Sequence, residues 1–174
     1  MKLSDYVIDY LGDVLSVRHV FMVVGGANMH LVDSMARSAK VKYVCVQHEQ
    51  AASMAAEGYA RVRIGVGAAI VTSGPGGTNA VTGLCCAWMD STPCIFISGQ
   101  SSTGDYTDGK TIRQLGVQQI NIVDIVKSVS KYSALVTDPK TIRYHLDKAS
   151  YLAQEGRPGP VWLDTVSCCI LHML

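Results

Sequence analysis

Residues 66–100 read VGAAIVTSGPGGTNAVTGLCCAWMDSTPCIFISGQ: an apolar run, a glycine-rich turn, a small-residue segment and a second apolar run. The first run, 66–74, lacks in–out alternation, as a strand covered on both faces should. Residues 80–91 read as a helix and 94–100 as the next strand. Strand, helix and strand in this order indicate a parallel sheet whose crossovers are helical.

The pattern extends in both directions. Ser4 is placed to cap a helix over 5–15. A strand over 19–26, HVFMVVGG, ends in two glycines and is followed by a helix over 28–38. A strand over 42–47 then leads into a helix over 49–63. Beyond Gln100, residues 101–119 form a long polar loop, a feature that in compact domains is usually functional. A short helix over 121–129 and a strand over 131–136 come next. In the helix over 138–156, Asp138 is the cap, Pro139 opens the first turn and Gly156 closes the last. Residues 159–166 are the sixth strand. The expected fold is α/β, a doubly wound parallel six-stranded sheet with helices on both faces. It occupies one domain, 1–166, followed by an atypical tail, SCCILHML, over 167–174.

A chain of 174 residues can bury a real core. Only 17% of it is charged and 48% is apolar, against roughly 25% charged in ordinary soluble domains. Part of its surface is therefore expected to lie against another subunit or domain. A net charge of +1 without a basic cluster gives no case for nucleic acid or an anionic membrane. No run approaches the roughly 18 apolar residues of a membrane span. The start, MKLSDYVIDYLGDVL, is amphipathic, with Asp5, Asp9 and Asp13, and does not read as a leader. Six cysteines without a CxxC read as buried thiols of a reducing cytoplasm.

In open parallel sheets, sites lie beyond the carboxyl ends of the strands. Gly25 and Gly26, Glu49, the 73–79 turn and the start of the long loop all fall there. A glycine-rich turn before a helix can hold an anion. In TSGPGGTN, however, Asn79 stands where GxGxxG needs its third glycine, and no GxxxxGK[ST] occurs. Phosphate cradling, a tight turn without a ligand, and close approach of backbone and Asn79 to a flat ligand all remain open, the last favoured. Glu49 has two readings. An acid in the first turn of a helix is favoured by about 0.3–1 kcal/mol for electrostatic reasons alone, and spacing alone makes it a helix-start residue. His48 reads as a rim or packing histidine, with no second ligand at metal spacing. Ser73 lacks the GxSxG of a nucleophile elbow.

The combination QHEQAASMAAEGYAR, VTSGPGGTNAVTG and DSTP resembles the N-terminal pyrimidine-binding domain of thiamine-diphosphate-dependent enzymes, in the acetolactate-synthase-like group. VGGANMHLVDSM, ALVTDPKTI and GRPGPVWLD stand in the family's order, so the resemblance covers about 4–166. It implies that Glu49, in the HEQ motif, contacts the N1′ atom of the cofactor's aminopyrimidine. Proton exchange there activates the thiazolium C2 for attack on a 2-oxo acid. It also implies that Pro75 and Asn79 line the pyrimidine pocket, that Gly25 and Gly26 leave room for substrate, and that Gln118 faces the substrate channel. No metal ligand is expected on this chain. Mg²⁺ and the diphosphate are expected on a further domain or partner subunit, because the family's GDG…N motif does not occur in the sequence. A homodimer is a further expected partnership.

Two substitutions flank the expected reaction centre. The group usually has an aromatic–Pro pair before the two glycines, where this chain has Val23 and Val24, and a Gln–Glu pair where it has Gln118 and Gln119. The alternative to an enzyme part is a non-catalytic remnant that keeps the fold and acts as a dimerisation or regulatory module.

Overall fold

The computed structural model describes residues 1–105, 107 and 111–173; the side chain of Cys168 is outside that description. Four residues of the expected 101–119 loop (106 and 108–110) lie outside the described residues, as does Leu174 of the tail. Six strands, β1 (His19–Met22), β2 (Lys42–Cys45), β3 (Gly67–Val71), β4 (Cys94–Gln100), β5 (Tyr132–Val136) and β6 (Val161–Val166), form one sheet in the order β2-β1-β3-β4-β6-β5. Every neighbouring pair is parallel. The helices are α1 (Leu3–Asp13), α2 (Met29–Arg37), α3 (Glu49–Arg63), α4 (Pro75–Asn79), α5 (Val81–Met89), α6 (Ile122–Val126), α7 (Ile142–Gln154) and α8 (Ser167–Ile170).

Successive residues of the central strands point to opposite faces, and both faces are covered. On one, Ile70, Ile95, Ile97 and Leu163 pack against Leu3, Val7 and Leu11 of α1, Leu31 and Met35 of α2, and Leu146 of α7. On the other, Ala69, Val71, Phe96 and Trp162 meet Ala56 and Ala60 of α3, Leu84 of α5, and Ile122 and Val126 of α6. The expected doubly wound sheet with helices on both faces is therefore what the chain forms. The two edge strands are less covered: β2 is exposed along its whole length, and β5 is half-buried except at Val136.

Small residues let the second face pack closely. A Cβ added at Gly83 would stand 2.3 Å from Ser53 Oγ and 2.6 Å from the Ser53 carbonyl carbon. α5 thus lies directly on α3, and the α4 turn before it is drawn toward the start of α3.

A polar network crosses from β4 to β6 inside the sheet. Ser98 Oγ donates to Asp164 Oδ1 at 2.6 Å, and Gln100 Nε2 donates to Asp164 Oδ2 at 3.0 Å. Trp162 Nε1 donates to Ser98 Oγ at 2.8 Å, and the indole stacks on Phe96 at 5.4 Å between centroids. Burial pushes the Asp164 carboxyl up to about 6, against the hydrogen bonds from Ser98 and Gln100 that pull it down.

Several boundaries differ from the sequence expectation. α1 starts at Leu3, so Ser4 is inside the helix; its hydroxyl, fully buried, accepts from Ser34 Oγ at 2.8 Å instead of capping. β1 stops at Met22, because the chain turns at Val23 to enter a short 3-10 turn, Gly26–Asn28. The 74–79 segment, expected as a loop, contains the helical turn α4, with Pro75 at its first position, where the fixed φ of proline suits a helix. Asp138 does cap, accepting from Lys140 N at 3.0 Å, but it opens a 3-10 turn, Pro139–Thr141, ahead of α7. The cysteines are not uniformly buried: Cys94 and Cys169 are, Cys85 and Cys86 are half-buried, and Cys45 is exposed on the edge strand. Burial pushes the Cys94 thiol up to about 12.

Two outcomes follow from this packing. Gly83→Val forces a branched side chain into Ser53 and is expected to cost about 1–3 kcal/mol, read as a lowered urea midpoint; an unchanged midpoint contradicts the close α3–α5 contact. Asp164 gives the second. Its folded-state value lies above that of the unfolded chain, so the native state binds the proton more tightly. The resulting stabilisation is complete below pH about 4 and is lost as the pH rises through about 6. Between pH 7 and pH 5 the wild type should therefore gain on the order of 1 kcal/mol relative to Asp164→Asn. Parallel stability curves for the two proteins would contradict the assignment.

Candidate functional site

The strand order reverses direction between β1 and β3, and such a switch point opens a crevice at the carboxyl ends of the strands. Gly25 and Gly26 follow β1, Glu49 follows β2, and Thr72 to Asn79 follow β3. All the candidate residues before the long loop therefore stand on one rim.

Glu49 is the first residue of α3 and is 8% exposed. The cap of this helix is the preceding residue: His48 Nδ1 accepts from Gln50 N at 3.2 Å. Glu49 is thus not needed as the cap and turns inward. Its Oε2 accepts from Asn79 Nδ2 at 3.0 Å, joining the start of α3 to the end of α4. A Cβ added at Gly76 would lie 3.3 Å from Glu49 Oε1 and 2.6 Å from Thr72 Cγ2. The missing side chain therefore leaves a cradle against the second carboxylate oxygen. Pro75 is exposed at the first position of α4 and accepts from Thr78 Oγ1 at 3.2 Å through its carbonyl.

A cleft of about 400 Å³ opens beside this group, lined by Gly26, Ala27, Thr72, Ser73, Gln100, Ser101 and Gln118 among others. Gly26 and Gln118 both line this cleft, and Gly25 is not among the residues lining it. Glu49, Pro75 and Asn79 are not among the residues lining it. Thr72 stands between the two groups: its side chain faces Gly76 on one side and Gly25, where a Cβ would lie 2.5 Å away, on the other. The turn after β1 is held by Asn28, fully buried, whose Oδ1 accepts from Gly25 N at 2.8 Å and whose Nδ2 donates to Val23 O at 2.9 Å.

Gln118, which lines the cleft, makes a close backbone contact with Gly74. It adopts a φ of +55° and sets its carbonyl against Gly74, itself at φ +59°. A Cβ at Gly74 would stand 2.3 Å from Gln118 O. Glycine is required there both for its φ and for the close approach. Gln119 is buried and serves the loop. Its Oε1 accepts from Leu115 N and Gly116 N at 3.1 and 3.2 Å, and its Nε2 donates to Thr107 Oγ1 at 2.7 Å.

Asn28, Thr72 and Gln100 were not singled out from the sequence. Only Asn28 carried a local signal, an amide side chain three residues after a glycine, able to bond back to the turn. Among the described residues, no three His, Cys, Asp or Glu side chains are grouped to hold a metal ion, and no helix is long and apolar enough to cross a membrane.

The site as built is a buried carboxylate with one oxygen held and the other facing a glycine cradle. That donor set fits the edge of a nitrogen heterocycle that exchanges a proton. The profile of the family described as thiamine pyrophosphate enzyme, N-terminal TPP binding domain, matches residues 1–128. The chain is 42% identical over 148 residues to the acetolactate synthase isozyme 3 large subunit of Escherichia coli, covering 85% of this chain and 25% of that protein. It is 39% identical over 148 residues to the acetolactate synthase large subunit of Buchnera aphidicola subsp. Schizaphis graminum, with the same coverage. Against the chloroplastic acetolactate synthase of Arabidopsis thaliana it is 40% identical, covering 85% of this chain and 21% of that protein. The chain thus spans about a quarter or less of the length of these curated relatives. With that profile matched over most of its length and relatives about 40% identical, the chain belongs to the family of thiamine pyrophosphate enzyme N-terminal TPP-binding domains.

Proposed function

We propose that this chain is the pyrimidine-binding part of a thiamine-diphosphate-dependent decarboxylase or carboligase of the acetolactate-synthase type, and that Glu49 exchanges the proton that activates the cofactor. The observation that carries the reading is the Glu49 carboxylate: buried, fixed by Asn79, and facing the cradle left by Gly76. When bound, the cofactor supplies the carbon nucleophile that takes up a 2-oxo acid and releases carbon dioxide.

The chain's own residues do the rest. Glu49 holds or gives up a proton at Oε1, while Asn79 fixes the orientation of the group through Oε2. The cleft between Gly26 and Gln118 admits a small 2-oxo acid, and Thr72 stands where the two parts of the site meet. Val23 and Val24, in place of an aromatic–Pro pair, alter the wall before the glycines, so the acid accepted need not be pyruvate. The Mg²⁺ and diphosphate half is supplied by another domain or subunit. The α3–α5 layer offers that partner, or a second copy, exposed apolar side chains: Met54 and Val62 on α3, and Trp88 and Met89 on α5.

Three outcomes test the reading. The purified chain, given thiamine diphosphate, Mg²⁺ and pyruvate, should release no carbon dioxide; steady release from a clean preparation contradicts the need for a partner. With the diphosphate-binding domain supplied, Glu49→Gln should lower turnover by about 10²–10⁴, the range of a positioned acid–base group. If Glu49 served only the helix start, the same change would cost at most about 1 kcal/mol of stability and leave turnover intact. Light scattering at micromolar concentration should give a dimer through the α3–α5 layer, and a monomer at every concentration would contradict that interface.

A further inference from the structure

The segment 101–120 leaves the end of β4 and returns to the start of α6, carrying Gln118 on the way. Its two ends meet on one side chain. Gln100, 1% exposed, donates through Nε2 to Ile120 O at 2.8 Å and to Asp164 Oδ2 at 3.0 Å. Its Oε1 accepts from Ser101 N at 3.0 Å. One amide therefore ties the first residue of the segment to the last. Gln118 is two residues before Ile120 and next to Gln119, whose amide ties Leu115, Gly116 and Thr107 together.

Asp164 holds this amide in the same orientation that its two backbone bonds favour. An ionised carboxylate only accepts hydrogen bonds, so the nitrogen of Gln100 must face it. That orientation also sets the nitrogen on Ile120 O and the oxygen on Ser101 N. Reversing the amide would bring Oε1 against the Ile120 carbonyl and Nε2 against the Ser101 N–H, losing both bonds. The Asp164 partners described, Ser98 and Gln100, are neutral, and a buried carboxylate without a cation is a net cost to stability. A gain in core stability therefore does not account for its place. Orientation does: the carboxylate allows one arrangement of Gln100, and that arrangement closes the loop.

We propose that Asp164 is a positioning residue that acts through Gln100: together they clasp the two ends of the 101–120 segment and so hold Gln118 in its left-handed conformation against Gly74, at the mouth of the cleft. The role of Gln118 toward a 2-oxo acid rests on the function proposed above; the clasp does not.

Amide hydrogen exchange of the full chain, followed by NMR, tests the clasp without any need for turnover. Gln100→Leu keeps the bulk but donates to neither Ile120 nor Asp164. Asp164→Ala removes the group that orients Gln100. Asp164→Asn is the conservative variant: its oxygen still accepts from Gln100, and its nitrogen can donate to Ser98 Oγ. The readout is the Leu115, Gly116 and Gln119 amides, whose hydrogen bonds go to Gln119 Oε1 and Gly116 O and not to a substituted side chain, with Ala69 and Ile70 of β3 as the internal reference. In Gln100→Leu and Asp164→Ala the loop amides should exchange at least tenfold faster relative to β3, and the Gly74 and Gln118 resonances should shift together. Asp164→Asn should restore rates to within about threefold of wild type. Loop rates that follow β3 in Gln100→Leu, or an Asp164→Asn protein as loose as Asp164→Ala, overturn the proposal. Because Glu49 is untouched, its effect on turnover remains a separate measurement, and a failure of the clasp is distinct from a failure of the proposed function.

Discussion

Six strands run in one direction, so every strand exit lies on the same rim, and the rest of the molecule follows from that polarity. Helices must cover both faces to return the chain to the opposite rim. At the reversal of strand order between β1 and β3, the helices leave in opposite directions and open a crevice. Glu49, Asn79, Gly26 and Gln118 come from four separate stretches of chain. They share a neighbourhood because each stretch begins or returns at that rim.

Within the rim, the decisive contacts are short-range and depend on small residues. Gly83 lets α5 lie on Ser53 of α3, which brings the end of α4 to the start of α3 and allows Asn79 to reach the Glu49 carboxylate. Gly74 lets the returning loop set Gln118 O against the turn after β3. His48 caps α3, so Glu49 need not. A site assembled in this way is sensitive to added volume at positions far from any chemistry, as close-packed interiors are.

The sheet, its six strands and the two helical layers were legible from periodicity and from the glycine and proline punctuation between the runs. What was not legible depended on contacts between distant residues. Ser4 has the side chain of a helix cap, but it lies inside α1 with its hydroxyl buried against Ser34. The 74–79 stretch has the glycines of a loop, yet Pro75 at the first position starts a helical turn. β2 reads as a strand like the others, and nothing local marks it as the edge strand whose place leaves it exposed. For the site, Glu49 on spacing alone was a helix-start acid; its likeness to a known motif supplied the other role, and its burial beside Gly76 supports that role. Gln100 read only as the end of a strand, because its partners, Ile120 and Asp164, are 20 and 64 residues away. The tail, 167–173, also gave no signal of what it does: Ile170 enters the core beside α1, and Leu3 N donates to His172 O at 2.8 Å.

The central claim is that the inward-turned Glu49 carboxylate moves a proton at the cofactor's pyrimidine ring. The most direct measurement is the rate at which the C2 proton of thiamine diphosphate exchanges with solvent deuterium, with the cofactor bound between this chain and its diphosphate-binding partner. It should be made for wild type and for Glu49→Gln, alongside the melting temperature of each. The account predicts exchange slowed by at least about 10²-fold with little change in melting temperature. Unchanged exchange together with a lowered melting temperature would contradict it and return Glu49 to the start of a helix.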